Sequence, residues 1–339
     1  MELSDNTYIE RLLRRLQIRL SADQYPLHEQ FARFFWARTL EEDLAERDVA
    51  DDSGATIEAL RRLRARQPDE VIIDLINPMS ARDGWQSKHT VVFMAAPNMP
   101  FMVDSVLIAL SHGDLVTHHL NNVVLGVDRN DQGEVSDLTM AFDHPQRELV
   151  LYAEIDRLED EALQELQHNL TSVCAELQAA VQDFAPMKAL TEEIVQGLRD
   201  QPPPLDETEI AEAIAFLEWL LANHFTFLGY REFAYGDGYV RQTGQALGIQ
   251  RIRSRATTRR LDAQPQRTQD FLMASSLLSF SKSGTRSRVH RHAYPDYIGI
   301  KQFDQSGRVI GEIGLLGLYT SRVYREFPEN IPVIRRKVA

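Results

Sequence analysis

The sequence predicts an α+β protein: a helical leader followed by two units, each built on an antiparallel sheet. Three observations carry that expectation. Apolar residues recur every three or four positions through the first 67 residues, the period drops to two at Glu70, and three prolines, 202 to 204, interrupt the chain before a second set of strand-like runs. The predicted divisions are a leader over 1–69, a first sheet unit over 70–184, a helix and proline-rich linker over 185–205, and a second sheet unit over 206–339.

In the leader, Ile9, Leu12, Leu13, Leu16 and Ile18 form one helical stripe. Pro26 opens a second helix, whose Phe31, Phe34, Phe35 and Trp36 make an aromatic face that must be covered by the following unit or by another subunit. Helices starting near Glu41 and near Thr56 complete the leader, and Arg61, Arg62, Arg64 and Arg66 read as a solvated face.

From Glu70 the runs are strand-like. VIIDLINP is a strand and SARDGWQSK a loop, followed by a strand over His89–Ala95, a loop over Ala96–Pro100, a helix over Phe101–Ser111 and a strand over Leu115–Val127. DRNDQGEV, with Asp131 and Gly133, has hairpin chemistry. In RELVLYAEI, Leu149, Leu151, Ala153 and Ile155 alternate with Glu148, Val150, Tyr152 and Glu154, predicting one buried face and one mostly exposed. A long helix follows, with Leu163, Leu166, Leu170, Val173, Leu177, Ala180 and Phe184 on one side. The order strand, strand, helix, three strands, helix packs most economically as a ferredoxin-like sandwich, a mainly antiparallel sheet with two helices on one face.

A helix over Met187–Arg199 then runs into QPPPLD, where prolines end helical structure and Asp206 is placed to cap the next helix. FTFLGYREFAY reads as a strand, YGDGYV as a turn, and YIGIKQFDQSGRVIGEIGLLGLYT as a hairpin turning at Asp304–Gly307. The second unit is therefore also antiparallel α+β, of the kind found in sensor modules.

Bulk properties exclude several classes. A net charge of -13 argues against a general nucleic-acid binder. The single cysteine, Cys174, excludes internal disulfides and multi-cysteine metal sites, and its place on an apolar helix face makes it a packing residue. No apolar run reaches membrane-spanning length and the acidic start MELSDNTYIE is no signal peptide, so a cytoplasmic protein is expected. The last residues, IPVIRRKVA, read as interior to a structured region, which predicts a piece of a longer chain.

Catalytic motifs fail their context. Gly236 and Gly238 come nearest to a dinucleotide motif but lack the third glycine and precede strand-like residues. Ser279 to Lys282 matches S-x-x-K but lies in a strand-like run, where the lysine is not brought onto the serine. His290 and His292 would share one face of a strand, yet lack an evident third metal ligand. Residues 251–291 hold ten basic side chains against Asp262 and Asp270, among them Arg251, Arg253, Arg255, Arg259 and Arg260. These five come as RIRSRATTRR with no aromatic residues interleaved, so base stacking is not suggested; the stretch is a solvated loop, a contact for an anionic ligand or acidic partner, or a partner of acidic residues in the same chain. The best candidate for a small ligand is the loop before the helix at Phe101, where Asn98 and unpaired helix N–H groups are at hand. His118 and Asn121, in the tandem HHLNN, are candidates for its polar edge or for a subunit contact.

Several separated segments, MPFMVDSV, HHLNNVVLGVDRNDQGEV, HFTFLGYREF, SRVHRHAYPDYIGIK and GLYTSRVYREFPENIPVIRRKVA, together resemble the N-terminal region of the large bacterial NAD-dependent glutamate dehydrogenases. The resemblance runs from about Val71 to Ala339. It implies that residues 70–184 form an ACT-like regulatory domain and that the second unit is a PAS-like or ACT-like sensor module. It implies an effector site over Asn98, Met99, Phe101, Asp104, His118 and Asn121, although PNMPF has Asn98 and Phe101 where many amino-acid-binding ACT domains have an aspartate and a glycine. The expected role is a non-catalytic regulatory and oligomerisation region, without cofactor here and with NAD bound elsewhere in the parent enzyme. Its expected partners are the remainder of the polypeptide, further copies and an amino-acid effector, with neither nucleic acid nor membrane. The alternative is a ligand-free scaffold whose aromatic face and arginine-rich loop join subunits.

Overall fold

The computed structural model describes residues 7–111, 115–140, 142–253 and 258–338. The chain forms two compact units, Met1–Cys174 and Ala175–Ala339.

In the first unit, α1 (Thr7–Arg19), α2 (Tyr25–Phe35), α3 (Glu41–Ala45) and α4 (Val49–Ala65) come before the sheet. α4 begins earlier than the periodicity predicts because Asp48 caps it, its carboxylate accepting the Ala50 N–H at 2.6 Å. Then follow β1 (Ile72–Ile76), α5 (Ser80–Asp83), β2 (Thr90–Pro97), α6 (Met102–Leu110), β3 (Thr117–Arg129), β4 (Val135–Thr139), β5 (Arg147–Ile155) and α7 (Asp160–Gln182). α5 is a single helical turn inside the stretch read as a loop. The strands form one antiparallel sheet in the order β1-β2-β5-β3-β4. Val92, Met94, Leu149 and Leu151 are buried on one face of it. This leaves α6 and α7 to cover that face, and the two helices touch where Cys174 Sγ lies 3.8 Å from Met102 Sδ.

The other face overturns an expectation. Phe31, Phe35 and Trp36 of the leader share one core with Val91, Phe93, Val123, Leu125, Val150 and Tyr152 of the sheet, and Phe34 packs against it. The aromatic face is thus covered inside the unit and is not a subunit contact. β5 is buried on both faces, Glu148 and Glu154 included, where one exposed face was expected. Carboxylates enclosed in this way need partners, and the leader supplies them. Arg62 and Arg66, read as solvated, are only 4% and 5% exposed. Arg66 and Arg129 both grip Glu148, at 2.6 and 3.0 Å, while Arg62 binds Asp74 at 2.8 Å with its guanidinium 4.2 Å from the Phe93 ring centre. Arg61 and Arg64 do face solvent.

Both edges of this sheet are blunted by glutamine. Gln167 of α7 donates to the Ile73 carbonyl and accepts from the Leu75 N–H on β1, and Gln30 of α2 accepts from the Leu138 N–H on β4. An edge whose backbone groups are engaged offers less to a foreign strand.

The second unit contains α8 (Phe184–Asp200), α9 (Glu207–Trp219), β6 (Phe225–Gly236), β7 (Tyr239–Gly248), α10 (Ile249–Arg253), β8 (Thr258–Arg260), α11 (Gln266–Met273), β9 (Leu278–Lys282), β10 (Asp296–Phe303), β11 (Val309–Tyr319) and α12 (Arg335–Val338). Its antiparallel sheet has the order β8-β7-β6-β11-β10-β9. Asp206 caps α9 by accepting from the N–H groups of Thr208 and Glu209 at 2.9 and 3.2 Å. Met187 and Val195 of α8 join Ile210 and Leu217 of α9 in one core with Ile298, Ile300 and Leu315. Pro202, Pro203 and Pro204 therefore connect two helices on the same core.

The turns follow their residues. Asp237 and Gly238 take φ values of 53° and 75°, the two-residue hairpin geometry that Asp-Gly favours. Asp304 Oδ1 accepts from the N–H groups of Ser306 and Arg308, closing the β10–β11 hairpin. His290 and His292 lie in irregular loop rather than in a strand, with His290 at φ 69°, so the alternation that would have put them on one face does not apply. Among the described residues no group of three or more His, Cys, Asp or Glu side chains is placed to hold a metal ion, and no helix is long and apolar enough to cross a membrane.

Candidate effector site

β2 ends at Pro97, and the turn that follows is tied to the start of β5 by the Asn98 N–H, which donates to the Arg147 carbonyl at 2.9 Å. Phe101 enters α6 in the left-handed region, at φ 66° and ψ 8°, and its side chain does not cap the helix. This is the place where a glycine would be relaxed. A phenylalanine there is held by its surroundings against a cost of about 1–2 kcal/mol. Asn98 and Asp104 are exposed, whereas Met99 and Phe101 are half-buried. The turn thus presents an amide side chain and a carboxylate to solvent beside a helix start that no side chain caps, a set able to orient a small zwitterion.

His118 and Asn121 do not join it. Pro97 is aligned with Glu148, and Glu148 with Leu125, whereas His119 is aligned with Glu154. At about 3.3 Å per residue, His118 lies roughly 20 Å along the sheet from the turn. Its Nε2 meets Asp156 at 2.7 Å and its ring stacks on His89, with 4.0 Å between centres. Asn121, 4% exposed, donates to the Phe35 carbonyl at 2.7 Å and so pins the leader to the sheet. Alternation along β3 turns Asn121 toward the leader together with Val123 and Leu125, which could not be known until that face was seen to be covered.

The arginine set is also divided. Arg251 lies 3.1 Å from Asp183, Arg253 holds both oxygens of Glu176 at 3.0 and 2.8 Å, and Arg260 pairs with Asp262 at 2.5 Å. Arg259 is exposed on the edge strand β8, and Arg255 lies outside the described residues. Acidic residues of the same chain therefore engage three of the five.

Two further buried charge clusters were missed by sequence reasoning. In the first unit Arg47 forks onto Asp52, at 2.8 and 2.6 Å, and reaches Glu154 at 2.7 Å, its guanidinium 5.1 Å from the Trp36 ring centre. Tyr8 donates to Asp52 and Tyr152 to Glu154. Burial drives the Asp52 carboxyl up against the pull of Arg47 and Tyr8. Burial also opposes ionisation of Glu154, but the charge of Arg47 and the Tyr152 hydroxyl outweigh it and hold that carboxyl below its usual range. In the second unit, Lys301 of β10 and Glu312 of β11 are register partners, 2% and 1% exposed, and form an ion pair. Tyr297 donates to the same carboxylate, and Lys301 lies 5.3 Å from the Phe271 ring centre and 5.7 Å from that of Tyr235. Gly299 and Gly314 make the room: a Cβ on Gly299 would meet the Glu312 carboxylate, and one on Gly314 the Tyr297 hydroxyl. Gly236 and Gly238, by contrast, close a hairpin with no helix behind it, which does not fit a dinucleotide.

His119 adjoins the first cluster, its ring 6.1 Å from Trp36, with Nε2 buried and without a hydrogen-bond partner. Burial, reinforced by the Arg47 charge, lowers it to about 4. The unfolded chain then binds a proton near pH 6.5 that the folded chain refuses until about pH 4. Stability should therefore fall as pH drops through that window, by roughly 2 kcal/mol after allowance for partial exposure. Urea titrations at pH 7 and 5 should show a smaller drop for His119→Gln than for the parent; an equal drop would assign the slope to other groups.

The sheet with α6 and α7, and the open turn at its edge, define an ACT-type α+β domain. In keeping with that class, residues 31–170 match the family described as glutamate dehydrogenase, ACT1 domain. The chain is 36% identical over 341 residues to the NAD-specific glutamate dehydrogenase of Halomonas elongata, covering 97% of this chain and 21% of that protein. It is 36% identical over 322 residues to the NAD-specific glutamate dehydrogenase of Pseudomonas aeruginosa, covering 91% of this chain and 20% of that protein. The chain is thus related to the N-terminal region of the large NAD-specific glutamate dehydrogenases and spans about one fifth of the length of these relatives. An RNA-binding light-oxygen-voltage receptor aligns over 85% of this chain and 86% of its own at 11% identity and a TM-score of 0.16, a likeness that says nothing about fold.

Proposed function

We propose that this chain is a non-catalytic regulatory region of a large NAD-specific glutamate dehydrogenase, and that an amino acid held at Asn98, Met99, Phe101 and Asp104 is its effector. The parent enzyme would oxidise L-glutamate to 2-oxoglutarate and ammonia, with NAD bound in the remainder of the polypeptide. The observation that carries the regulatory reading is the turn at Phe101, a strained and uncapped helix start inside the stretch that matches the ACT1 family. An effector that binds one arrangement of paired domains better than another shifts the population toward it, typically by 1–3 kcal/mol of coupling. The reading includes a cytoplasmic location and assembly into a homo-oligomer, the latter measurable by sedimentation.

Calorimetric titration of the chain with L-glutamate and other L-amino acids tests the site. Binding heat should appear and should fall at least tenfold in affinity in Asn98→Ala/Asp104→Ala. Heat that is unchanged in that variant removes these residues from the effector site.

A further inference from the structure

A second surface of the first unit, apart from the turn at Asn98, has the chemistry of a ligand pocket. Where α2, the end of α4 and the β3–β4 turn meet, a cavity of about 390 Å³ is lined by Leu20, Gln24, His28, Ile57, Arg61, Arg64, Ala65 and Glu134. Three kinds of wall meet in it. Leu20, Ile57 and Ala65 are apolar. Arg64 and Arg61 supply guanidinium donors, and Arg61 is already engaged by Glu58 at 2.9 Å. Glu134 is an acceptor carboxylate, one of whose oxygens takes a bond from Asn130 at 3.3 Å.

His28 adds the discriminating feature. It is 5% exposed, and its Nδ1 lies 2.8 Å from the Gln24 backbone carbonyl. A carbonyl can only accept, so Nδ1 carries the proton and Nε2 is left as an acceptor lone pair. Burial holds the ring below its usual value, with Arg64 contributing, which keeps it neutral at pH 7. The lining of one cavity therefore combines guanidinium donors, a carboxylate and an imidazole acceptor, and apolar side chains. A phosphate or dicarboxylate would satisfy the arginines but face Glu134 and a lone pair. An amine would do the reverse.

We propose that the cavity bounded by His28, Arg64 and Glu134 binds a small zwitterion with an apolar side chain, an aliphatic α-amino acid. Its carboxylate takes the Arg64 guanidinium, its ammonium faces Glu134 and His28 Nε2, and its side chain lies on Leu20, Ile57 and Ala65. This site is separate from the turn at Asn98, so an amino acid at one does not require an amino acid at the other.

The test is calorimetric titration of the whole 339-residue chain with L-leucine, with isovalerate (the carboxylate alone) and with isobutylamine (the amine alone). L-Leucine should bind, and each half-ligand should be at least tenfold weaker. Arg64 is exposed, so Arg64→Ala should leave the fold intact and weaken L-leucine at least tenfold; Glu134→Gln should weaken it as well, while Asn98→Ala/Asp104→Ala should not. Absence of L-leucine binding at millimolar concentration, binding that survives Arg64→Ala and Glu134→Gln together, or isovalerate equal to L-leucine would each overturn the proposal. Loss of leucine binding only in the Asn98/Asp104 variant would do the same while supporting the turn as the effector site.

Discussion

Glu312→Ala should destabilise the chain by about 3–5 kcal/mol, because it leaves the Lys301 ammonium enclosed with no counter-charge. Lys301→Ala should cost a similar amount by exposing the Glu312 carboxylate to the same dry surroundings. The informative variant is the double replacement Lys301→Met/Glu312→Leu, which keeps the volume and removes both charges. Breaking a buried pair costs more than replacing it. The double variant should therefore recover most of the single-site loss, and urea melts of the three proteins beside the parent decide the matter. If the double variant is as unstable as either single variant, the pair is worth more than its desolvation cost. The polar ring of Tyr297 and Ser279 around Glu312, with the carboxylate accepting from both, would then be the reason.

Arg47→Met should have an effect of similar size, about 3–5 kcal/mol at pH 7, with a pH dependence of opposite sign to that of its parent cluster. In the parent, Glu154 is held below its ordinary range, so its contribution is present above that range and is lost as pH falls through the depressed value. Asp52, raised by burial, opposes this in part. Without Arg47 both carboxyls are buried with no cation and both should be raised. A raised carboxyl stabilises the fold at low pH and loses that contribution as pH rises through its folded value. Arg47→Met should thus be closer to the parent at pH 5 than at pH 7, a difference that chemical denaturation at the two values would register. A constant gap between the proteins would mean that the carboxylates find other partners or water.

Much of the local structure was legible. Asp206 as a cap, Asp-Gly at 237 and 238 and the Asp304 turn each depend on a few neighbouring residues, and short-range chemistry decides them. The order of strands and helices in the first unit follows from periodicity, which is also local. The candidate turn at Asn98 was found in the same way, from a strand, a proline-bearing loop and an apolar helix in succession.

What was not legible depends on which surfaces meet. Glu148 and Glu154 alternate with apolar residues and look solvent-facing until the leader covers them; once it does, the arginines at 47, 62 and 66 cease to be surface charges. One signal was available. Lys301 and Glu312 sit in glycine-bearing apolar strands on either side of the Asp304 turn, and counting outward from that turn nearly pairs them. His28 gave no such signal, because a histidine on a helix becomes part of a pocket only when α4 and the β3–β4 turn arrive beside it.

The sequence by itself determined the class of the protein and its kinship, since period, turn chemistry and ordered motif segments are properties of contiguous residues. Only the tertiary structure decided that leader and sheet share one core, that the arginine-rich stretch is partly neutralised within its own unit, and that His118 and Asn121 stand apart from the turn at Asn98. Each of those facts turns on burial. An ionised or amide side chain has the same intrinsic chemistry in any sequence, but the cost of leaving it unpaired is set by how much water its neighbours exclude.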